Sequence, residues 1–334
     1  MSDPALGAIF AAGAVASLSA SWGLVASLER IGARIGLSEA LLGMLAALAA
    51  DAPEITAAVT ALIRGQGRIG AGVILGSNVF NIAALIGLAG VVAGYIALHR
   101  RVIELGGTVA VWIATVALLL VLGVLPPLAA LLLALAVFVP YVLLLGGGRG
   151  RIAQLPLARS FTRWLLAAIS EEEQELEPAI HPQRGTRRDV LAAGVTILIV
   201  VGASIAMERS GSRLGERHGV PQIVIGGIVL AAVTSMPNAV AGVYLALRGR
   251  ASAVLSTSLN SNAINLLAGL LIPTMFVGIG AASAQTTFVA SAALAMTLLA
   301  LGFAYSRRGL ARAEGIALVV AYLLFAVVLT LSSS

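Results

Sequence analysis

The sequence predicts an all-α integral membrane protein of ten transmembrane helices, arranged as two inverted five-helix repeats. Three observations carry that expectation: an apolar composition, ten long apolar runs, and a self-similarity at a fixed offset. Of 334 residues, 59% are hydrophobic and 11% charged, with a mean hydropathy of +1.01. A soluble domain carries about 25% charged residues, so most of this chain is expected in lipid. The remaining charge falls in short clusters between apolar runs, each run close to the roughly 20 residues a helix needs to cross the hydrocarbon layer.

The runs cover residues 5–28, 38–63, 69–97, 102–124, 127–145, 189–207, 221–247, 251–279, 286–305 and 314–331. The opening Met1-Ser2-Asp3-Pro4 lacks the positive flank of a cleavable signal peptide, so the first run is expected to be a retained span. Ten spans put both termini on one side and allow the arginines, which are the only basic residues besides three histidines, to be sorted by side. Five lie on the side of the termini: Arg64, Arg68, Arg209, Arg213 and Arg217. Sixteen lie opposite, seven of them in the polar segment 146–188. Positive residues stay cytoplasmic. The expectation is therefore a multi-pass protein of the cell (plasma or inner) membrane, termini outside and the 146–188 segment cytoplasmic.

That segment divides the chain into a first repeat (1–145), a cytoplasmic linker (146–188) and a second repeat (189–334). Within the linker, residues 157–166 read as a basic amphipathic helix at the interface. The acidic run Glu171–Glu177 reads as a solvated linker rather than a cation sensor. Basic loops of this kind set topology, so no nucleic-acid partner is expected. The chain has no cysteine, and His99, His181 and His218 fall in connecting segments. Thiolate metal sites, disulfides and histidine chemistry inside the membrane are thereby excluded, and with them an intramembrane enzyme.

Self-similarity appears when Pro53 is set on Pro237, an offset of 184 residues. Without a gap, the same offset pairs Gly43 with Gly227, Ala47 with Ala231, and Arg64-Gly65 with Arg248-Gly249. It also pairs Ser77-Asn78 with Ser261-Asn262, and Asn81 with Asn265. Five spans per repeat is an odd number, so the second repeat must enter the membrane inverted. Architectures of this kind hold their substrate at the repeat interface near the midplane.

Of the fifteen acids, thirteen are expected in loops or near span ends; only Asp51 and Glu54 fall deep inside an apolar run. A central acid costs roughly 2.5–3.5 kcal/mol on insertion scales, and two acids three residues apart share one helix face. Pro53 between them removes a backbone donor and frees a carbonyl. Carboxylates beside freed carbonyls form the hard oxygen environment that sodium-like and calcium-like ions prefer. The matching stretch, Thr234-Ser235-Met236-Pro237-Asn238, repeats the proline and the oxygen side chains without charge. Pro53, Pro237, Asn78 and Asn262 are expected to break their helices.

The elements Asp51-Ala52-Pro53-Glu54 and Gly76-Ser77-Asn78-Val79-Phe80-Asn81, with their mirrored copies, resemble the alpha repeats of the cation/calcium exchanger superfamily, which includes sodium/calcium and proton/calcium antiporters. The resemblance covers essentially the whole chain. It implies cation ligands at Glu54, Ser77, Asn81, Asn238, Ser261 and Asn265, joined by the Ala47 and Ala231 carbonyls and the Thr234 and Ser235 hydroxyls. The sequence departs from the family pattern at Asp51, where Ser is usual, and at Asn238, where Glu is usual. The acid has moved into the first repeat, leaving a formal charge of about −2 that is one-sided.

The resemblance implies a secondary antiporter exchanging Ca2+ or another divalent cation for Na+ or H+ by alternating access, with no cofactor beyond the transported cations. Carboxylates this close titrate as a coupled pair, which keeps proton coupling open. Alternatives are a Na+/H+ or other monovalent exchanger, or a non-transporting relative. Nothing in the sequence requires more than a monomer in the bilayer.

Overall fold

The computed structural model describes residues 1–146, 158–176, 185–249, 251–280 and 283–333. Arg149, Arg151, Glu177, His181, Arg184 and Arg250, which entered the reading of topology and linker, lie outside these residues.

The described chain is almost wholly helical. The first half comprises α1 (Asp3–Arg34), the bent pair α2 (Glu39–Ala50) and α3 (Ala52–Ile63), α4 (Gly67–Ala93), a short strand β1 (Tyr95–Ala97), α5 (Arg100–Val121) and α6 (Pro127–Gly146). A linker helix α7 (Arg159–Leu176) follows. The second half has α8 (Arg187–Arg217), the bent pair α9 (Gln222–Thr234) and α10 (Met236–Leu247), α11 (Ala253–Val277), α12 (Ala284–Arg307), strand β2 (Gly309–Ala311) and α13 (Arg312–Ser333). Eight helices are long and apolar enough to cross a membrane unaided, and the two bent pairs raise the number to as many as ten.

The core sits on α4 and α11, whose apolar windows are 94% and 72% buried, whereas those of α6, α8 and α13 are 22% buried. Leu143, Leu198 and Leu331 on these outer helices are exposed, as suits side chains that face lipid tails as apolar as themselves. Helix α4 approaches α9 at glycines: a Cβ added at Gly76 would lie 2.2 Å from the Gly227 carbonyl oxygen, and one at Gly226 would lie 2.3 Å from that of Ile69. Small residues let backbones meet where lipid supplies no hydrophobic drive. Helices α1 and α8 pack side by side, with the buried hydroxyls of Ser17 and Ser204 2.7 Å apart.

Three features depart from the sequence reading. The end of the 69–97 run is β1, paired antiparallel with β2 in the register Ile96↔Leu310. The acidic part of the linker is not wholly solvated: α7 buries Leu165, Ala168, Ile169 and Glu172, the last accepting from the Tyr141 hydroxyl at 2.9 Å, while Arg159, Ser160, Phe161 and Arg163 are exposed. Asn78 and Asn262 do not break their helices. Each amide reaches across to the other's backbone carbonyl, at 3.0 and 3.1 Å, and the ladders slip only afterwards, into π-helical turns at Ile82–Gly87 and Asn265–Leu271.

Candidate functional site

Two helix breaks build the site. Helices α2 and α3 meet at Asp51 with a bend of 52°, and α9 and α10 meet at Ser235 with a bend of 43°. Pro53 and Pro237 stand in the first turns of α3 and α10, where a missing N–H costs least. The carbonyl that Pro53 leaves without its usual donor is that of Ala49, and the Ser21 hydroxyl of α1 donates to it at 2.9 Å. Ser21 was not foreseen: a serine in an apolar run is silent until its neighbour is known.

The breaks turn polar side chains toward each other from opposite halves of the chain. Asn238 Nδ2 donates to Asp51 Oδ1 at 3.0 Å, and the Ser261 hydroxyl donates to the same oxygen at 2.8 Å. The Ser235 hydroxyl donates to Glu54 Oε1, and Asn265 Nδ2 donates to Glu54 Oε2 at 3.3 Å. Asn81 extends the Asp51 set, accepting from Asn238 at 3.3 Å and donating to Ser261 at 3.3 Å and to Asn262 Oδ1 at 3.2 Å. The two sets meet where the Asp51 and Glu54 carboxyls face each other. Asp51, Glu54, Ser77, Asn81, Ser235 and Asn265 have no exposed surface.

Asp51 Oδ2, Ser77 Oγ, Asn78 Oδ1 and Asn265 Oδ1 are buried oxygens without a hydrogen-bond partner. Buried polar atoms are normally satisfied, so this set is incomplete as protein alone. The hydrogen-bond donors to the two carboxyl groups are all neutral side chains, and the two carboxyls also stand within hydrogen-bonding reach of each other. Among the described residues, no arginine forms an ion pair with either. Carboxylates beside orphaned oxygens, without a protein counter-charge, suit a hard cation.

Thus Asp51, Glu54, Asn81, Ser235, Asn238, Ser261 and Asn265 come together in one network, with Ser77 buried in α4 and the Asn78–Asn262 pair bridging α4 to α11. Thr234 is buried, but its hydroxyl turns back to the Leu230 carbonyl at 2.9 Å. The Ala47 and Ala231 carbonyls accept from the backbone N–H groups of Asp51 and Ser235, at 2.8 and 3.1 Å. Ala47 retains a second lone pair for a ligand, whereas the Ala231 carbonyl also accepts from the Thr234 hydroxyl at 3.3 Å.

Asp51 and Glu54 are not the only buried acids. Glu208 on α8 is fully buried, holds Arg64 at 3.2 Å and accepts from Ser212 at 2.8 Å. Glu172 is reached through Tyr141, whose hydroxyl also lies 3.1 Å from Asn260 Oδ1, beside the site. Glu208 follows the apolar run 189–207 and Glu172 lies within the polar 146–188 segment, and only packing buries them. A cavity of about 410 Å³ between α1, α2 and α10 is lined by Glu29, Ala47, Ala50, Asn238 and Tyr244 and so reaches the site's edge.

Residues 5–147 and 190–331 match the family described as sodium/calcium exchanger protein. The sodium/calcium exchanger MaX1 of Methanosarcina acetivorans is 32% identical over 131 residues, 39% of this chain and 37% of MaX1. CaxA of Alkalimonas amylolytica is 25% identical over 299 residues, 88% of each chain. Sodium/potassium/calcium exchanger 3 of Rattus norvegicus is 41% identical over 73 residues, 22% of this chain and 12% of that protein. The chain therefore spans little more than a third of the first of these relatives, and much less of the third.

Among solved structures, the H+/Ca2+ exchanger CAX superposes with a TM-score of 0.72 over 98% of this chain and 86% of its own, at 15% identity. The sodium-calcium exchanger NCX_Mj superposes with a TM-score of 0.62 over 97% of this chain and 98% of its own, at 17% identity. At these identities the shared property is the fold. The family and these neighbours are transporters, not enzymes. With both halves of its length matched, the chain belongs to the sodium/calcium exchanger family.

Proposed function

We propose that this protein is a secondary active cation antiporter that exchanges Ca2+, or another divalent cation, for Na+ or H+ by alternating access at the Asp51–Glu54 site. The observation that carries the reading is a pair of fully buried, mutually facing carboxyl groups whose donors are all neutral, surrounded by orphaned oxygens. Burying uncompensated charge is costly, and a bound cation removes the cost. In this reading the ligands are Asp51, Glu54, Ser77, Asn81, Ser235, Asn238, Ser261 and Asn265. The halves 1–145 and 189–334 are inverted five-span repeats, with both termini outside and residues 146–188 cytoplasmic.

The arrangement supports one access state in particular. Glu29 and its cavity lie toward the arginine-rich end of α1, the side assigned to the cytoplasm. On the other side, the solvent-reaching Arg64 pairs with the buried Glu208 and ties the end of α3 to α8. The cavity is then the inward path and the ion pair the outer closure. Arg64→Gln is expected to weaken that closure. The chain has no cysteine, so a single Ala61→Cys reporter, buried one turn before Arg64, can be read without background. Its labelling from the side of the termini should quicken about tenfold in the Arg64→Gln background, as a shift of population toward the outward state requires. Unchanged labelling removes the ion pair from the gating account.

A formal charge of −2 in the site matches one divalent ion or two monovalent ions, so exchange is expected to be electroneutral. Initial rates of isotope counterflow in proteoliposomes should saturate with external cation and stay within about twofold across a 100 mV clamp, a field worth roughly 2.3 kcal/mol per uncompensated charge. Non-saturating flux indicates a channel, and a steep voltage dependence contradicts the electroneutral cycle.

A further inference from the structure

The 184-residue offset that aligns the halves also acts on the contacts of the site. Position 51 becomes 235 and position 54 becomes 238. The hydrogen bond from Asn238 to Asp51 therefore has, as its counterpart, the one from Ser235 to Glu54. The same operation carries the 3.3 Å bond from Asn265 to Glu54 onto the 3.3 Å bond between Asn81 and Asn238. The two bonds linking Asn78 and Asn262 are each other's images.

The polar cluster is thus two related half-sites, although the bonds of Ser261 to Asp51 and Asn81 have no image, since Ser77 has no hydrogen-bond partner. One pairs position 51 with position 238, the other pairs position 54 with position 235, and each pair draws one residue from either half of the chain. Although both acids come from one segment, each half-site holds one carboxylate and one neutral partner. The charge is one-sided in sequence, and each of its two carboxyls takes a hydrogen bond from a neutral side chain of the second half. Asp51 takes both of its side-chain donors on Oδ1 and has none on Oδ2, which leaves Oδ2 able to take a cation shared with the neighbouring Glu54 carboxyl.

We infer that Asp51 supplies, across the interface between the halves, the negative charge that Asn238 lacks in its half-site, and that this charge functions from either member of the 51–238 pair. Each half-site takes one monovalent cation, or the two together hold one divalent cation. The inference rests on the exchanger reading and specifies how its site is built. A competing account makes Asp51 a structural clasp that only holds Asn238 and Ser261.

The test compares Asp51→Asn, Asn238→Asp and the double variant carrying both, each as the full chain in proteoliposomes with radiolabelled Ca2+ and Na+. Asp51→Asn is expected to lose about a hundredfold or more in uptake, because one of two charges facing the ion is gone. Asn238→Asp alone is also impaired, with three carboxylates in one buried cluster. The double variant should recover uptake to within about tenfold of wild type, a coupling that independent sites do not show.

A second readout is free of transport: Ca2+ added to detergent-solubilised protein should raise the melting temperature of wild type and double variant, but not of Asp51→Asn. If the double variant folds yet neither transports nor responds to Ca2+, while wild type does both, the half-site inference is overturned and the exchanger reading stands. If wild type itself does neither, the exchanger reading fails. Should the double variant not fold, Glu54→Gln with Ser235→Asp applies the same criterion to the other half-site.

Discussion

Glu54→Gln is expected to reduce cation uptake to the level of protein-free vesicles. The Glu54 side chain has no exposed surface, and its oxygens are held by Ser235 and Asn265. Glutamine keeps the size and can keep both contacts through a rotated amide, so the fold should survive. What it loses is charge. A unit charge about 4 Å from a cation is worth roughly 4 kcal/mol in a partly polar interior, or close to three orders of magnitude in binding. Nothing nearby makes up the loss, since Asp51 already serves its own partners. The check is uptake of radiolabelled Ca2+ or Na+ together with the melting temperature in detergent. A variant that melts like wild type and transports at more than about a tenth of its rate would remove Glu54 from the ion path.

Gly76→Ala is the second large effect, and it acts through packing. The added Cβ would lie 2.2 Å from the Gly227 carbonyl oxygen and 2.7 Å from that residue's Cα. The obstacle is backbone, which cannot rotate away, so α4 must move off α9. Overpacking of this kind costs typically 1–3 kcal/mol and sometimes more, and here the displaced helix carries Ser77, Asn78 and Asn81. Both a lower melting temperature and lost transport are expected. Gly302→Ala is the control: no atom lies within 4 Å of its added Cβ, so it should be neutral, or stabilising by up to about 1 kcal/mol through helix propensity. Equal behaviour of the two variants would contradict the close approach of α4 and α9.

The helical layout was legible because a membrane span announces itself by length and hydropathy. The ten apolar runs meet the observed helices with their ends shifted by a few residues, apart from the longer extension of α8 to Arg217. The breaks were legible too, since Pro53 and Pro237 occur at one offset, although the bends fall at Asp51 and Ser235, ahead of the prolines. The site residues could be found because Asp51, Glu54 and the paired Ser-Asn-x-x-Asn elements are polar where lipid penalises polarity.

What stayed hidden depends on contacts across the chain. The three-residue strands β1 and β2 are too short to show a period of two. Glu172 looks like a linker acid until α7 folds onto the bundle, and Glu208 like an acid at a span end until Arg64 reaches α8. Ser21 becomes a cap only because Pro53 frees the Ala49 carbonyl opposite it. The pairing of Asp51 with Asn238 and of Glu54 with Ser235 was invisible for the same reason: sequence shows which segment carries an acid, not which partner that acid faces.

The central claim is exchange of a cation at the Asp51–Glu54 site, and the most direct measurement is uptake of radiolabelled Ca2+ by proteoliposomes under imposed outward Na+ and H+ gradients. The account predicts saturable uptake that one of the two gradients drives and that collapses when an ionophore dissipates that gradient. Folded protein that moves no Ca2+ under either gradient, and no Na+ against H+, would contradict it.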